Sequence, residues 1–255
     1  MIMTEKSKTH VALRPRLQTI LLICFIAVFV FSAIMLILYY AQGTREENAF
    51  KELADSVKDD GDSDILARYQ ALSKQNPDMV GWIRIDGTSI DYPVMYTPGD
   101  GDFYLDHGFD KESAKSGVPF LDARCTVDPL GVNTIIYGHH MKNGTMFADL
   151  EKYGDEKYYT AHPTIHFDTL YARHEYEIIA AFESQVSREN DAGFKYYDYV
   201  NADGTEAFNE YIKSITALSL YDTGVKASCG DTLITLVTCD YHTENGRFVV
   251  VARQR

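Results

Sequence analysis

Residues 20–40, ILLICFIAVFVFSAIMLILYY, form an uninterrupted apolar run without a single charged side chain. About 20 apolar residues are enough for a helix to cross the hydrocarbon core of a bilayer. The apolar region of a cleavable signal peptide is shorter, at roughly 7–15 residues. The run therefore predicts a transmembrane helix, with a cleaved signal of unusual length as the alternative. A buried helix of a soluble protein fits less well, because no face of the run is polar.

The charges on either side of this run predict which way it crosses the membrane. Glu46 and Glu47 follow it, with Arg45 as the one contrary charge, whereas basic residues stand before it: Lys6, Lys8, Arg14 and Arg16. Because flanking Lys and Arg residues stay on the cytoplasmic side, residues 1–19 are predicted to form a short cytoplasmic tail. The chain from residue 41 onward is then predicted to be extracellular.

Charge and motif content exclude several classes of partner and cofactor. The chain has a formal net charge of −13, and phosphate binding needs Lys and Arg to displace counterions, so we expect no nucleic-acid partner. Neither HExxH nor CxxC occurs, and the adjacent His139 and His140 cannot easily ligate one ion, so we expect no metal. No phosphate-cradling glycine loop is present either, and no cofactor is predicted.

Residues 41–75 are predicted to be a helical linker that leads from the membrane to a folded domain. Apolar residues recur at helical spacing in two stretches, on either side of the helix-breaking Asp60-Gly61-Asp62. The sequence thus predicts two short helices, and a solvated stalk is an equally good interpretation of the first.

From residue 76 to residue 255 the pattern changes to short strands separated by turn residues. The strand-like runs are rich in β-branched and aromatic residues, and one amphipathic helix is expected at residues 205–217, with a second one within residues 146–159. Many short strands with few helices between them predict a mainly β fold, a closed eight-stranded barrel or a sandwich. The runs are residues 80–85, 89–95, 118–121, 133–137, 164–167, 176–182, 231–239 and 247–252.

One cysteine lies at the end of a predicted strand, a position suited to catalysis. Of the four cysteines, Cys24 lies in the apolar run, and Cys239 closes a predicted strand, TLVTC. Arg247 opens the next strand, and a hairpin would bring it to the same rim, where a cation can lower a thiol pKa and hold an oxyanion. The composition alone favours the other interpretation, in which Cys239 is a small buried apolar residue.

One histidine is placed similarly. His139 comes directly after strand 133–137 and Gly138, so it is expected at the end of a strand, as Cys239 is. Its neighbour His140 should point the opposite way, because adjacent residues alternate along an extended chain. His139 is therefore the candidate acid–base residue, although a lone histidine is often only structural.

These motifs together resemble those of the sortases, and of class B in particular. Thr235-Leu236-Val237-Thr238-Cys239 matches the TLxTC signature of that family, Arg247 stands at its arginine position, and Tyr137-Gly138-His139 matches its histidine segment. The resemblance covers roughly residues 70–255. Further matching segments are QNPDMVGWIRIDGTSIDYPVM at 75–95, FYLDHGFD at 103–110, GVPFLD at 117–122 and NGTMFADL at 143–150.

The resemblance implies a cysteine transpeptidase with a sortase-like closed barrel and a helix before the last two strands. It implies that Cys239 cleaves a C-terminal sorting motif, of NPxT or PxTG type, in secreted proteins through a thioester. It also implies that a peptidoglycan precursor, a lipid II-type amine acceptor, then takes over the acyl group. His139 would be the acid and base, and Arg247 the oxyanion donor.

Three further residues receive lesser roles. Thr238 and Leu236 are predicted to shape the substrate groove. Asp240, beside the cysteine, is a candidate for the carboxylate that orients His139. Two alternatives stay open: a hydrolytic cysteine protease on the same scaffold, and a tethered binding domain whose cysteine is inert.

Overall fold

The structure, a computed structural model, describes residues 15–58, 65–185, 194–200, 204–240 and 246–255. At Cys239 and Asp240 it describes the backbone but not the side chain. The helices and strands of these ranges, in chain order, are α1 Pro15–Ser56, α2 Ile65–Gln75, β1 Met79–Arg84, β2 Asp91–Met95, β3 Phe120–Leu121, β4 Asn133–Gly138, α3 Glu156–Ala161, β5 Thr164–Thr169, β6 Glu175–Gln185, α4 Thr205–Leu218, β7 Leu233–Asp240 and β8 Gly246–Gln254.

Helix α1 contains the apolar run. It is 42 residues long, with a mean hydropathy of 3.2 over its most apolar stretch, and it is the one helix among the described residues long and apolar enough to cross a membrane. The predicted membrane span and the first predicted linker helix are thus one continuous helix. The predicted break at Asp60-Gly61-Asp62 lies outside the described residues.

The chain divides into two units, residues 1–45 and residues 46–255. The second unit includes the last turns of α1, where Phe50 is buried and packs edge-on against the ring of Tyr92, with the ring centroids 5.6 Å apart. Helix α2 also belongs to this unit, with Tyr69 stacked on Trp82. The predicted linker is therefore partly built into the apolar core.

The strands close into a barrel in the order β1-β2-β3-β4-β7-β8-β6-β5, which confirms the predicted eight-stranded barrel. Strands β2 and β3 pair in parallel, and so do β4 and β7; the other neighbours are antiparallel. A parallel pair needs a long crossover connection. In the β4–β7 pair this crossover contains α3, β5, β6 and α4.

Strands β7 and β8 are covered by other elements of the fold. The 3₁₀ segment Ala148–Gly154 contacts both of them, and α4 packs on the neighbouring β6 through its buried Phe208, Tyr211 and Ile215. Every residue from Leu233 to Thr238 is buried, which means that both faces of β7 are covered. Its run of apolar residues and threonines therefore reflects burial on both sides.

The predicted helix within residues 146–159 is divided. A 3₁₀ segment, Ala148–Gly154, comes first, and helix α3 then starts at Glu156. The division lies at Asp155, whose side chain caps α3 by accepting a hydrogen bond from the Lys157 amide at 2.9 Å. An N-cap residue has non-helical backbone angles, so it ends the preceding turn as it starts the next helix.

Candidate active site

The predicted catalytic residues come to adjacent register positions on three neighbouring strands. Strands β4 and β7 run in parallel and their last pair is Gly138 with Thr238, so His139 and Cys239 are the next residue on each. On the other side of β7, Cys239 pairs with Arg247 of β8. Neighbouring strands are about 4.8 Å apart. All three residues thus lie within two strand spacings of each other at one rim.

His139 is held by a backbone carbonyl. Its Nε2 lies 2.7 Å from the carbonyl oxygen of Leu105, at the end of the 3₁₀ turn Phe103–Leu105. A carbonyl oxygen can only accept a hydrogen bond, so Nε2 must be the nitrogen that carries a proton. The contact therefore determines both the orientation of the ring and the position of a proton on it.

His140 has a different partner from its neighbour. Its Nδ1 lies 2.8 Å from Oε1 of Glu151, and both side chains are mostly buried. Gly138 explains the path of the chain here, because a Cβ at this position would lie 2.6 Å from the ring of Phe147. The two histidines thus separate, one towards Leu105 and one towards the 3₁₀ segment that contains Glu151.

Arg247 is anchored at the start of β8. Its Nη1 donates to the carbonyl of Gly246 at 2.8 Å, and the side chain is partly buried. This bond uses one of the five N–H donors of a guanidinium group. The backbone position directly opposite is Cys239.

The structure places both positions that were predicted to shape the groove inside the fold. Leu236 is 0% exposed and Thr238 is 1% exposed, because β7 is covered on both faces. Neither side chain therefore offers surface to a substrate in this structure. Asp240 ends β7 opposite Gly246, and its side chain lies outside the described part of the chain.

The other cysteines of the described chain are free thiols of a different kind. Cys125 is buried beside β4, where its Sγ accepts from the Ile135 amide at 3.4 Å, and burial raises its pKa to about 11. It is therefore a protonated thiol at neutral pH. Cys229 is exposed and Cys24 lies in α1. Neither of these two stands in the TLVTC segment.

One polar cluster near the site is absent from the sequence predictions. Arg124 donates two hydrogen bonds to the carboxylate of Asp122, at 2.8 and 2.7 Å, and Tyr137 donates a third at 3.0 Å. Burial opposes ionisation of Asp122, but the bonds from Arg124 prevail and hold its pKa below the usual value. The cluster fixes Tyr137, two residues before His139. In the sequence, only the spacing of Asp122 and Arg124, two residues apart, could have indicated this cluster.

No group of three or more His, Cys, Asp or Glu side chains that could hold a metal ion occurs among the residues that the structure describes. The three groups predicted to act at this rim are a thiol, an imidazole and a guanidinium group.

Comparison with known proteins identifies the family. The family model of the Sortase domain matches residues 83–255. The chain belongs to the sortases. A curated relative, Sortase B of Listeria monocytogenes, is 38% identical over 198 residues, 77% of each chain. Sortase B of Staphylococcus aureus is 27% identical over 243 residues, 93% of this chain and 96% of the relative.

A solved structure extends the likeness to three dimensions. The S. aureus sortase B–substrate complex superposes with a TM-score of 0.75 at 27% identity, and the match covers 84% of this chain and 98% of that one. The predicted class B resemblance is thus confirmed. Sortases are cysteine transpeptidases, so this sortase is an enzyme of that type.

Replacing Arg247 with lysine tests what this residue contributes to the sortase. If Arg247 stabilises charge on the substrate carbonyl, lysine will fail, because its ammonium is a compact point charge without the planar fork of guanidinium donors. We expect turnover to fall by about 10²–10³-fold in both Arg247→Lys and Arg247→Ala. The rate of thiol alkylation, measured against pH, should change much less.

Arg253 provides the matched control, since it lies on the same strand and pairs with Glu177 at 2.8 Å. Arg253→Lys should keep near-normal turnover. If Arg247→Lys instead restores turnover, the arginine acts by lowering the thiol pKa and the oxyanion role is wrong.

Proposed function

We propose that this sortase cleaves a C-terminal sorting motif of NPxT or PxTG type in secreted proteins and transfers them to a peptidoglycan amine. The observation that carries the proposal is the register of β4, β7 and β8, in which His139, Cys239 and Arg247 occupy adjacent positions. The similar S. aureus enzyme was solved as a substrate complex. That complex supports substrate binding by a barrel of this kind.

The proposed first half-reaction forms a thioester. The Cys239 thiolate attacks the carbonyl carbon of the Thr residue in the sorting motif, and a C–S bond forms. The C–N bond then breaks, and the imidazolium of His139 gives its proton to the leaving amine. Arg247 donates hydrogen bonds to the oxyanion that forms in between.

The second half-reaction reverses these roles. A peptidoglycan amine, from a lipid II-type precursor, attacks the thioester, and neutral His139 accepts its proton. A new C–N bond forms, the C–S bond breaks and the Cys239 thiolate is regenerated. A thioester suits this reaction because sulfur is a good leaving group for an amine nucleophile, so the acyl group can wait on the enzyme for its acceptor.

The proposal places the enzyme at the outer face of the cell membrane. Residues 1–19 are the cytoplasmic tail, residues 20–40 the span, residues 41–75 the linker and residues 76–255 the catalytic barrel. Lipid-borne acceptors and newly secreted substrates both lie at this surface. Tethering the enzyme there raises its effective concentration towards both.

Deleting residues 1–41 tests the proposed reaction in solution. We expect the remaining chain to fold and to transfer sorting peptides to an added amine, because it retains the whole unit of residues 46–255. Mass spectrometry of the products from NPxT and PxTG peptides, with and without a peptidoglycan-like amine, measures this. Deleting residues 1–57 is the matched control, since it also removes the buried Phe50 and Val57 and should lower the melting temperature.

Three outcomes separate the candidate functions. A transfer product with the amine supports the transpeptidase. Hydrolysis that persists unchanged when the amine is present identifies a protease on the same scaffold. If the truncated chain folds but neither forms a covalent adduct with any of the peptides nor cleaves one, the protein is the tethered binding domain.

A further inference from the structure

His139 needs a third group to hold its ring in place, and the structure offers a carbonyl for this purpose. Acid–base histidines are commonly oriented by a hydrogen bond to the ring nitrogen that is not reacting. Here Nε2 donates to the Leu105 carbonyl at 2.7 Å. With Nε2 occupied in this way, Nδ1 is the nitrogen that exchanges protons with the reacting groups.

The turn that presents this carbonyl is fixed from inside the fold. Tyr104 is 0% exposed. Its Oη accepts a hydrogen bond from Asn76 Nδ2 at 2.8 Å and donates one to Asp78 Oδ2, also at 2.8 Å. The carbonyl of Tyr104 in turn accepts from the Val118 amide at 3.0 Å. Both the side chain and the backbone of the residue before Leu105 are thus held.

Gly117 supports the same turn from the other side. Its φ of +55° favours glycine. A Cβ at this position would overlap the carbonyl oxygen of Tyr104 and would lie 2.7 Å from that of Leu105. The residue just before it is held as well, because the Glu46 carboxylate accepts from the Ser116 amide at 3.2 Å. A side chain at 117 therefore forces a shift between residue 117 and the Tyr104 and Leu105 carbonyls.

We infer that Gly117 and Tyr104 are positioning residues that hold the Leu105 carbonyl against Nε2 of His139 and thereby aim the imidazole. In this arrangement a backbone carbonyl fills the orienting role for which the sequence suggested the carboxylate of Asp240. The inference rests on the proposed role of His139 as acid and base.

Gly117→Ala in the full chain, purified in detergent micelles, is the first test. We expect kcat to fall by about 10–100-fold with little change in the peptide KM, because a small misplacement of a reacting group slows chemistry more than binding. Gly224→Ala is the matched control. Gly224 also has a positive φ, +71°, but a Cβ there would meet nothing within 4 Å, so this variant should keep its kcat.

A spectroscopic readout separates positioning from general damage. In protein labelled with ¹⁵N-histidine, Nε2 of His139 should give the ¹⁵N NMR signal of a protonated, hydrogen-bond-donating ring nitrogen, which can be read without slow proton exchange. His139→Ala identifies the signal by its absence. We expect Gly117→Ala to lose this signal while its melting remains cooperative.

The results can overturn the inference in several ways. It is wrong if the parent chain shows no hydrogen-bonded Nε2 signal for His139, or if folded Gly117→Ala keeps either that signal or its kcat. Should Gly117→Ala fail to fold, Tyr104→Phe takes its place, with the same two readouts and an expected loss of roughly fivefold to tenfold in kcat. An active His139→Ala would instead contradict the proposed function, whatever the Nε2 signal shows.

Discussion

Cys239→Ala should abolish both cleavage of the sorting peptide and its transfer to an amine. If Cys239 is the nucleophile, no other group can form the thioester, and removing a nucleophile of this kind costs on the order of 10⁶-fold in turnover. The register supports the choice, because Cys239 pairs with Arg247 and follows the residue that pairs with Gly138. Peptide turnover and the mass of the enzyme–peptide adduct measure the effect.

Two other cysteines serve as controls. Burial raises the pKa of Cys125 to about 11, so it is neither a thiolate at neutral pH nor accessible to a peptide. Cys229 is exposed but lies outside the rim at which β4 and β7 end. Cys125→Ala and Cys229→Ala should both retain most of the activity. Near-normal turnover by Cys239→Ala would refute the entire assignment.

Alkylation gives a second measurement on the same proteins. At neutral pH a small thiol reagent should modify Cys239 and the exposed Cys229, whereas Cys125 should react only in unfolded protein. Since the reactive species is the thiolate, the rate at Cys125 is limited both by its raised pKa and by burial.

The positions of the strands were predictable because short runs of β-branched and aromatic residues, separated by turn residues, are visible in the local sequence. The run DTLITLVTC contains β-branched residues between turn residues, and the structure has β7 there, from Leu233 to Asp240. Strand lengths were less predictable. Strand β6 runs to Gln185, beyond the apolar run, because it pairs with β8 from Tyr176 to Gln185. Such partners are not visible in a local window of sequence.

The pairing of β4 with β7 shows more clearly what a local sequence pattern cannot predict. Asn133 pairs with Leu233, far away in the chain, and no local pattern encodes a parallel contact over that distance. The same contact helps to explain why Thr238 and Leu236 are buried. Both were expected at a groove, but β7 is covered on both faces and their side chains are buried.

The contacts that hold His139 were also invisible in the sequence. Its partner is the backbone carbonyl of Leu105, and every residue carries a carbonyl, so the residue type gives no signal. Gly117 was noticed only as part of a matching segment. Its physical reason, the close approach of two carbonyl oxygens, depends on a fold that brings 103–105 against 117.

His139→Ala should be inactive, whereas His140→Ala should remain active. General acid–base catalysis typically contributes 10²–10⁴-fold, and here both half-reactions would need the same imidazole, so we expect a loss of at least about 10²-fold. Kinetics of peptide cleavage and of amine transfer measure it for each variant.

Stability should be affected the other way round: His140→Ala, the active variant, should be the less stable of the two. His140 Nδ1 is 2.8 Å from Glu151 Oε1, with 18% and 23% of these side chains exposed, so His140→Ala leaves a mostly buried carboxylate without its partner. A cost of about 1–3 kcal/mol in the free energy of unfolding follows, visible as a lower melting temperature at normal kcat. The bond from His139 to the Leu105 carbonyl is exposed, so His139→Ala should cost less stability than His140→Ala. An inactive His140→Ala beside an active His139→Ala would mean that the two adjacent histidines have been assigned the wrong way round.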